Sequence, residues 1–178
     1  GSVVTWGCAA FGGDSAALCE QLAAGVKQVA GSGCAFAAVK ADGSVVTWGC
    51  PAYGGDSTEV RDQLVEVQEV VCNDGAFAAL TVGGAVVSWG HRDYGGDSTK
   101  WQPQLAVGVQ HIYAGRNAFA ALCTDGSVVT WGDQSRGGDS AAARQQLVAD
   151  VRCICSTCRA FAAVKTCGSV VCSEVAEQ

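Results

Sequence analysis

The sequence predicts a mainly β fold made of tandem repeats, and three observations carry that prediction. Trp-Gly pairs at Trp6-Gly7, Trp48-Gly49, Trp89-Gly90 and Trp131-Gly132 recur at intervals of 42, 41 and 42 residues. The residues between them recur in the same order: GSVVTWG at 1–7, Gly-Gly-Asp-Ser at 12–15, Gln21-Leu22, Val26-x-x-Val29, Ala-Phe-Ala-Ala at 35–38, and a turn at Asp42 into the next GSVVTWG. The β-branched and aromatic residues from Ser2 to Trp6, bounded by glycines, are a strand signal. A unit of this length cannot bury its own apolar face and gains a core only by stacking on its neighbours. The copies therefore predict a tandem repeat β-propeller, or an open propeller-like arc of four blades, with a short helical turn in each repeat.

Each element follows from local pattern. Val26-x-x-Val29 alternates weakly, and the run from Ala35 through Val39 is short, apolar and bounded by turn residues, so both are read as strands. Asp42-Gly43 and Asp125-Gly126, with Gly83-Gly84 in the same place, suit a tight hairpin from that run into the next Trp-Gly strand. Between Asp14 and Leu22 the pattern changes. Asp14 or Ser15 is placed to cap a helical turn that sets Leu18 and Leu22 on one face, and Val60 with Leu64 and Trp101 with Leu105 repeat that spacing. Pro103 limits how far the third copy's helix can run. The small side chains flanking Phe36 suit an inner strand near a crowded axis. Trp6, Trp48, Trp89 and Trp131 are expected to be structural, each filling the wedge between adjacent sheets with its N–H on a neighbouring carbonyl.

The blades then run 26–49, 67–90, 109–132 and 151–173, with residues 1–7 left over. Residues 168–173 already fill the slot that 1–7 would take in a closed ring. Two claimants for one slot favour an open arc, a truncated longer array, or an unpaired N-terminal edge prone to association. The whole of 1–178 is read as a single repeat domain, with units at 1–42, 43–83, 84–125 and 126–167 and a partial fifth at 168–178. We expect it to be a fragment of a longer array whose neighbouring repeats are natural partners.

Composition narrows the function classes. The chain has 178 residues, 49% of them hydrophobic, enough for a continuous core. A net charge of -6 argues against a nucleic-acid partner, because affinity for phosphate backbones comes from clustered Lys and Arg; a basic protein surface is the better match. No apolar run approaches the roughly 18 residues of a membrane span, so no membrane partner is expected. The 11 cysteines fall at different places in different copies, as Cys8, Cys19, Cys34, Cys72 and Cys123 illustrate. That scatter reads as small buried hydrophobes in a reducing, intracellular compartment rather than as a repeated disulfide. No cofactor motif is recognised: GGDSTK at 95–100 lacks the spacing of a phosphate-binding loop.

The succession V-x-x-W-G, Gly-rich turn, V-x-x-V, small apolar strand, D-G-x-V resembles the regulator of chromosome condensation repeat family over essentially the whole chain. The resemblance implies a propeller. It also implies either a recognition module for proteins or a guanine nucleotide exchange factor acting on a small GTPase. Three features depart from the family pattern: the unit is shorter, Gly-Gly-Asp-Ser stands where Gly-Gln-Leu-Gly is preferred, and Ala35-Phe36 stands where a His-Ser-like pair is usual. No insertion resembles an exchange wedge, so no residue inherits catalysis. A non-enzymatic scaffold for protein-protein interaction is the leading expectation.

Candidate binding residues follow from register. Asp14, Asp56, Asp97 and Asp139 share one position in the unit, so a row of carboxylates would face a basic peptide or a cation; capping of the following helical turn is the simpler role and the one we favour. The loops after Trp-Gly, at 8–11, 50–53, 91–94 and 133–136, differ most between copies and include Tyr53, His91, Tyr94 and Arg136. Variable loops on a constant scaffold are where binding specificity is usually placed. Trp101 occupies a register held by Leu18, Val60 and Ala143, so it is expected to pack its helix on the sheet, with partner anchoring as the alternative. His91 and His111 are read as surface or capping residues. Cys153, Cys155, Cys158, Cys167 and Cys172 have spacings that zinc would accept, making a zinc-stabilised module a further alternative. Placing Cys172 in the tryptophan register and Cys167 in the Asp42 register instead makes them drifted positions of the last copy, the reading we adopt.

Overall fold

The computed structural model describes residues 1–172, whose twelve strands form four three-stranded antiparallel sheets. The first holds β1 (Val26–Gly31), β2 (Ala35–Lys40) and β3 (Val45–Gly49), and the second β4 (Val67–Cys72), β5 (Ala76–Thr81) and β6 (Val86–Gly90). The third holds β7 (Val109–Ala114), β8 (Ala118–Cys123) and β9 (Val128–Gly132), and the fourth β10 (Val151–Ser156), β11 (Phe161–Lys165) and β12 (Val170–Cys172). These are the four blades expected from the repeats, except that Ser173, the expected end of the last, lies outside the described residues. The sheets do not close on one another and make an open arc. Each first strand carries an irregular step at the same place, for instance between Val26 and Gln28 and between Val67 and Glu69.

Helical turns fall where capping signals predicted them. They comprise a 3-10 turn at Ala16–Leu18 running into α1 (Cys19–Leu22), a 3-10 helix at Thr58–Gln63, a turn at Thr99–Trp101 running into α2 (Gln102–Leu105), and a 3-10 helix at Ala141–Gln146. Leu22 and Leu105, which end α1 and α2, and Leu64 and Leu147, which directly follow the two 3-10 helices, are buried. A second set was not foreseen: the loops after Trp-Gly wind into 3-10 turns at Ala9–Phe11, Pro51–Tyr53, Arg92–Tyr94 and Gln134–Arg136.

The Ala-Phe-Ala-Ala strands are central, not innermost as expected. In each sheet the Val-x-x-Val strand and the Trp-Gly strand flank them. Alternation explains the small residues better than a crowded axis does, because successive side chains point to opposite faces. One face of blade two carries Phe77, Ala79, Val87 and Trp89, which pack on Ala35, Ala37 and Val39 of blade one. Its other face, with Ala76, Ala78, Leu80 and Val86, receives Phe119, Ala121 and Trp131 of blade three. Ala118, Ala120 and Leu122 in turn receive Phe161, Ala163 and Val171 of blade four. Every blade thus has a large-residue face and a small-residue face, and the arc grows by fitting one into the other.

Three tryptophans fill the wedges as expected. Trp48, Trp89 and Trp131 are buried, stack on Phe36, Phe77 and Phe119 with centroids 5.3 Å apart, and donate Nε1–H to the carbonyls of Gly12, Gly54 and Gly95 at 3.0, 3.1 and 3.1 Å. Trp6 does not, and the expectation for it is corrected: it is 84% exposed, and residues 1–7 form no strand. In other copies this strand pairs with the Ala-Phe-Ala-Ala strand that precedes it, Phe36 lying opposite Trp48. Among the described residues no Ala-Phe-Ala-Ala strand pairs with residues 1–7, and the heptapeptide has neither a ladder nor a ring to stack on.

Register also moves Cys172. It lies opposite Ala162 as Thr47 lies opposite Ala37, so it holds the threonine position and not the tryptophan position, which falls on Ser173. Nor are the cysteines buried hydrophobes: all are free thiols, only Cys123 is buried, and Cys8, Cys19, Cys155, Cys158, Cys167 and Cys172 are exposed. Short β-rich blades have too few two-sided positions to bury so many.

A detail of that threonine position yields a prediction. The hydroxyls of Thr5, Thr47 and Thr130 hydrogen-bond the hydroxyls of Ser15, Ser57 and Ser140 at 2.9, 3.1 and 2.9 Å. In the third copy Ser88 takes the place of threonine and its Oγ is buried without a partner. Ser88→Thr supplies the hydroxyl geometry of the sister copies and should stabilise the array by about 1 kcal/mol, seen as a raised thermal midpoint; an unchanged or lowered midpoint would count against this account.

Candidate functional site

Each Gly-Gly-Asp-Ser begins with a geometric demand. Gly12, Gly54, Gly95 and Gly137 have φ of 89°, 93°, 91° and 94°, and a Cβ on any of them would meet the phenyl ring of its blade. The second glycine is held against the Trp-Gly backbone: a Cβ on Gly96 would lie 2.3 Å from the Gly90 carbonyl oxygen. The aspartate then closes the turn. Oδ1 of Asp14, Asp56, Asp97 and Asp139 accepts the backbone N–H two residues on at 2.9, 2.9, 3.0 and 2.8 Å.

Hydrogen bonds from the Thr58 hydroxyl and backbone hold Asp56 below the usual carboxylate range. The Thr99 backbone and hydroxyl, with Arg92 beside them, do the same for Asp97. A lowered carboxylate contributes stability above its ordinary value and loses it as pH falls through the lowered one. Arg92 also pairs with Asp97 at 3.2 Å. The row of carboxylates is therefore committed first to its own turns.

The loops after Trp-Gly bring the aromatic candidates together. Tyr53 from the second unit stacks on His91 from the third at 5.4 Å, His91 meets Tyr94 edge-on at 5.0 Å, and Tyr53 meets Tyr94 at 6.3 Å. All three rings are half-buried. His91 caps its own turn, Nδ1 accepting from the Asp93 backbone at 3.3 Å. Asp133 does the same in the next copy through Ser135 N–H, and Arg136, in the register of Tyr94, is tied to Asp133 at 3.2 Å.

Sequence reasoning missed what lets these rings close. Gly75 sits between them, and a Cβ there would lie 3.0 Å from Tyr53 and 3.1 Å from Tyr94. The equivalent residues are Cys34, Asn117 and Arg159, so one glycine in a column of larger side chains was the available signal. Asn73 was missed too. Its Nδ2 donates to the Tyr94 carbonyl at 2.7 Å and its Oδ1 accepts from the backbones of Gly75 and Ala76. Beside it, Arg116 pairs with Asp74 at 2.7 Å across adjacent blades.

The other candidates lie apart. Trp101 is half-buried against the blade-two/blade-three core, with the Lys100 ammonium 5.3 Å from its ring, and lines an open groove of about 460 Å³ together with Asp139 and Arg144. His111 is exposed on β7. Cys153 and Cys155 lie on β10, Cys158 in the turn after it, Cys167 in the last hairpin and Cys172 on β12. Among the described residues no group of three or more His, Cys, Asp or Glu side chains is placed to hold a metal ion.

Residues 109–137, the whole of blade three and the turn that follows it, match the regulator of chromosome condensation (RCC1) repeat. That repeat is similar to the RCC1 type. The fold agrees. Prp20p from Saccharomyces cerevisiae superposes with a TM-score of 0.58 at 18% identity, covering 83% of this chain and 44% of that one. Human WBSCR16 gives 0.52 at 20%, covering 79% and 44%, and the ACR4 receptor kinase ectodomain of Arabidopsis thaliana 0.52 at 15%, covering 85% and 52%. The chain thus spans about half the length of these structures or less. A comparison with curated protein sequences finds no match. At these identities the likeness is one of fold.

Proposed function

We propose that this RCC1-type array is a non-catalytic docking scaffold whose partner meets the edge carrying the turns after Trp-Gly. The observation that carries the reading is the Tyr53, His91 and Tyr94 cluster. Three half-exposed rings from two adjacent repeats are held rigid by a capped turn and by Asn73. Aromatic anchors on a preformed surface are the usual centres of binding energy, and rigidity lowers the entropy lost on docking. The net charge of -6 favours a basic partner.

Binding to histones has been studied for Prp20p, and Prp20 has been solved bound to Kap60; protein partners for an array of this type are in keeping with that. Histones are accordingly the basic probe to use. The expected result is binding that weakens at least about tenfold when Tyr53→Ala and Tyr94→Ala are combined, while exposed Cys155→Ser leaves it unchanged. Full affinity in the double variant would remove the cluster from the account. Nucleotide release from a purified small GTPase, with and without the chain, separates docking from exchange activity: the scaffold reading expects no acceleration.

A further inference from the structure

Two cysteines of blade one stand opposite each other across a strand pair. β2 and β3 stay in register to their ends, Ala35 lying opposite Gly49, and the next pair outward is Cys34 with Cys50. The Cys50 N–H donates to the Cys34 carbonyl at 2.8 Å. At such a ladder position the two Cα atoms lie about 5.5 Å apart, inside the span of about 4.4–6.8 Å that a disulfide bridges. The ladder bond is one-sided, because the Cys34 N–H turns back to Ser32 Oγ at 3.4 Å. The pair therefore sits where the ladder ends, with more room to adjust than a pair inside the sheet. Both thiols are free and half-buried, within reach of a small solute.

The neighbouring copies show where side chains at these two positions point. The corresponding pairs are Gly75 with His91, joined from His91 N–H to the Gly75 carbonyl at 2.9 Å, and Asn117 with Asp133, joined at 3.0 Å. In blade two a Cβ on Gly75 would stand 3.0 Å from Tyr53 and 3.1 Å from Tyr94, and the His91 ring meets the same two tyrosines. Side chains from both positions thus enter one space, and blade one places a cysteine at each. Among the described residues no other ladder does so. Cys72, Cys123, Cys153 and Cys155 face Phe77, Val109, Val164 and Ala162, and Cys172 faces Ala162 from the other side.

We infer that Cys34 and Cys50 are a reversible thiol–disulfide pair, closed by a low-molecular-weight disulfide such as oxidised glutathione. One cysteine thiolate attacks a sulfur of the oxidant, forming a mixed disulfide and releasing one thiol; the other cysteine thiolate then attacks the protein-bound sulfur and expels the second. One oxidant disulfide is reduced to two thiols for each protein disulfide formed, and the protons of Cys34 and Cys50 leave on those thiols. Closure has a local consequence. The Cys50 carbonyl accepts the N–H groups of Tyr53 at 3.1 Å and Gly55 at 2.9 Å, so Cys50 heads the turn that holds Tyr53. The new bond ties that head to the turn between β1 and β2 and restrains Tyr53. Neither step depends on what docks there, so the pair stands apart from the docking reading.

The test incubates the folded 178-residue chain with oxidised glutathione, blocks the remaining thiols with iodoacetamide and digests with trypsin in the absence of reductant. Cleavage after Lys27, Lys40 and Arg61 puts Cys34 in residues 28–40 and Cys50 in residues 41–61, one cysteine in each. The expected product is these two peptides linked, two hydrogens lighter than their sum and separated again by dithiothreitol. In Cys34→Ser the linked product is absent and Cys50 carries glutathione, and Cys50→Ser gives the converse; circular dichroism confirms that both variants are folded. Backbone amide exchange at Tyr53 and Gly55 is expected to slow in the oxidised parent and to stay unchanged in oxidised Cys34→Ser. Peptides 28–40 and 41–61 that remain unlinked, that join other cysteine peptides as often as each other, or that link without slower exchange would each overturn the proposal.

Discussion

Trp131→Ala is expected to cost the array about 3–5 kcal/mol, whereas Trp6→Ala, in an identical GSVVTWG heptapeptide, should change the stability of the single chain by no more than about 0.5 kcal/mol. Trp131 is fully buried, stacked on Phe119, and bonded to the Gly95 carbonyl at 3.1 Å. Truncation opens a cavity between blades two and three and leaves a buried acceptor without its donor, and the two losses add. Stability in such arrays comes from each unit and its nearest neighbours, so damage at one wedge should also divide the unfolding transition. Denaturant titration of the reduced protein at low concentration, followed by circular dichroism, reads both effects. Equal destabilisation by the two substitutions would mean that residues 1–7 are packed like the other copies.

Gly96→Ala should be at least as damaging, with a loss of about 4 kcal/mol or more, although only one methyl group is added. Its Cβ would stand 2.3 Å from the Gly90 oxygen and 2.5 Å from the Gly90 carbonyl carbon, and backbone at both points leaves no side chain free to move aside. Gly83 is the contrast. A Cβ there meets nothing nearer than Thr81 Oγ1 at 3.8 Å, so Gly83→Ala should be neutral or stabilising by about 0.4–1 kcal/mol through a less flexible unfolded chain. The unfolding midpoints of the two variants, measured side by side, check this; a Gly96→Ala protein as stable as the parent would show that the Gly-Gly turn does not press on Trp-Gly.

The repeat pattern was legible because the unit is copied closely: Trp-Gly, Gly-Gly-Asp-Ser and Ala-Phe-Ala-Ala each returned in register, and the strand limits followed from them. Local chemistry was legible too, as in the aspartates that close their turns through the second following N–H. The candidate site was legible only in part. Tyr53, His91 and Tyr94 stood out as variable-loop residues, but their convergence depends on Gly75 and Asn73, which lie in the β4–β5 turn and meet His91 and Tyr94 only through the sheet pairing, and on blade stacking that brings Tyr53 to them.

Taken alone, the sequence determined the number of blades, the succession of strands along the chain and the residues that close the turns, because these depend on contacts within one repeat and each repeat states them again. Tertiary structure alone decided that the Phe-bearing strand is central, that Trp6 stands in solvent while its three counterparts are buried, and that the cysteines are mostly exposed. Those outcomes depend on what lies against each face. Burial belongs to the pair of surfaces that meet, so identical heptapeptides can have opposite fates where one of them lacks a neighbour.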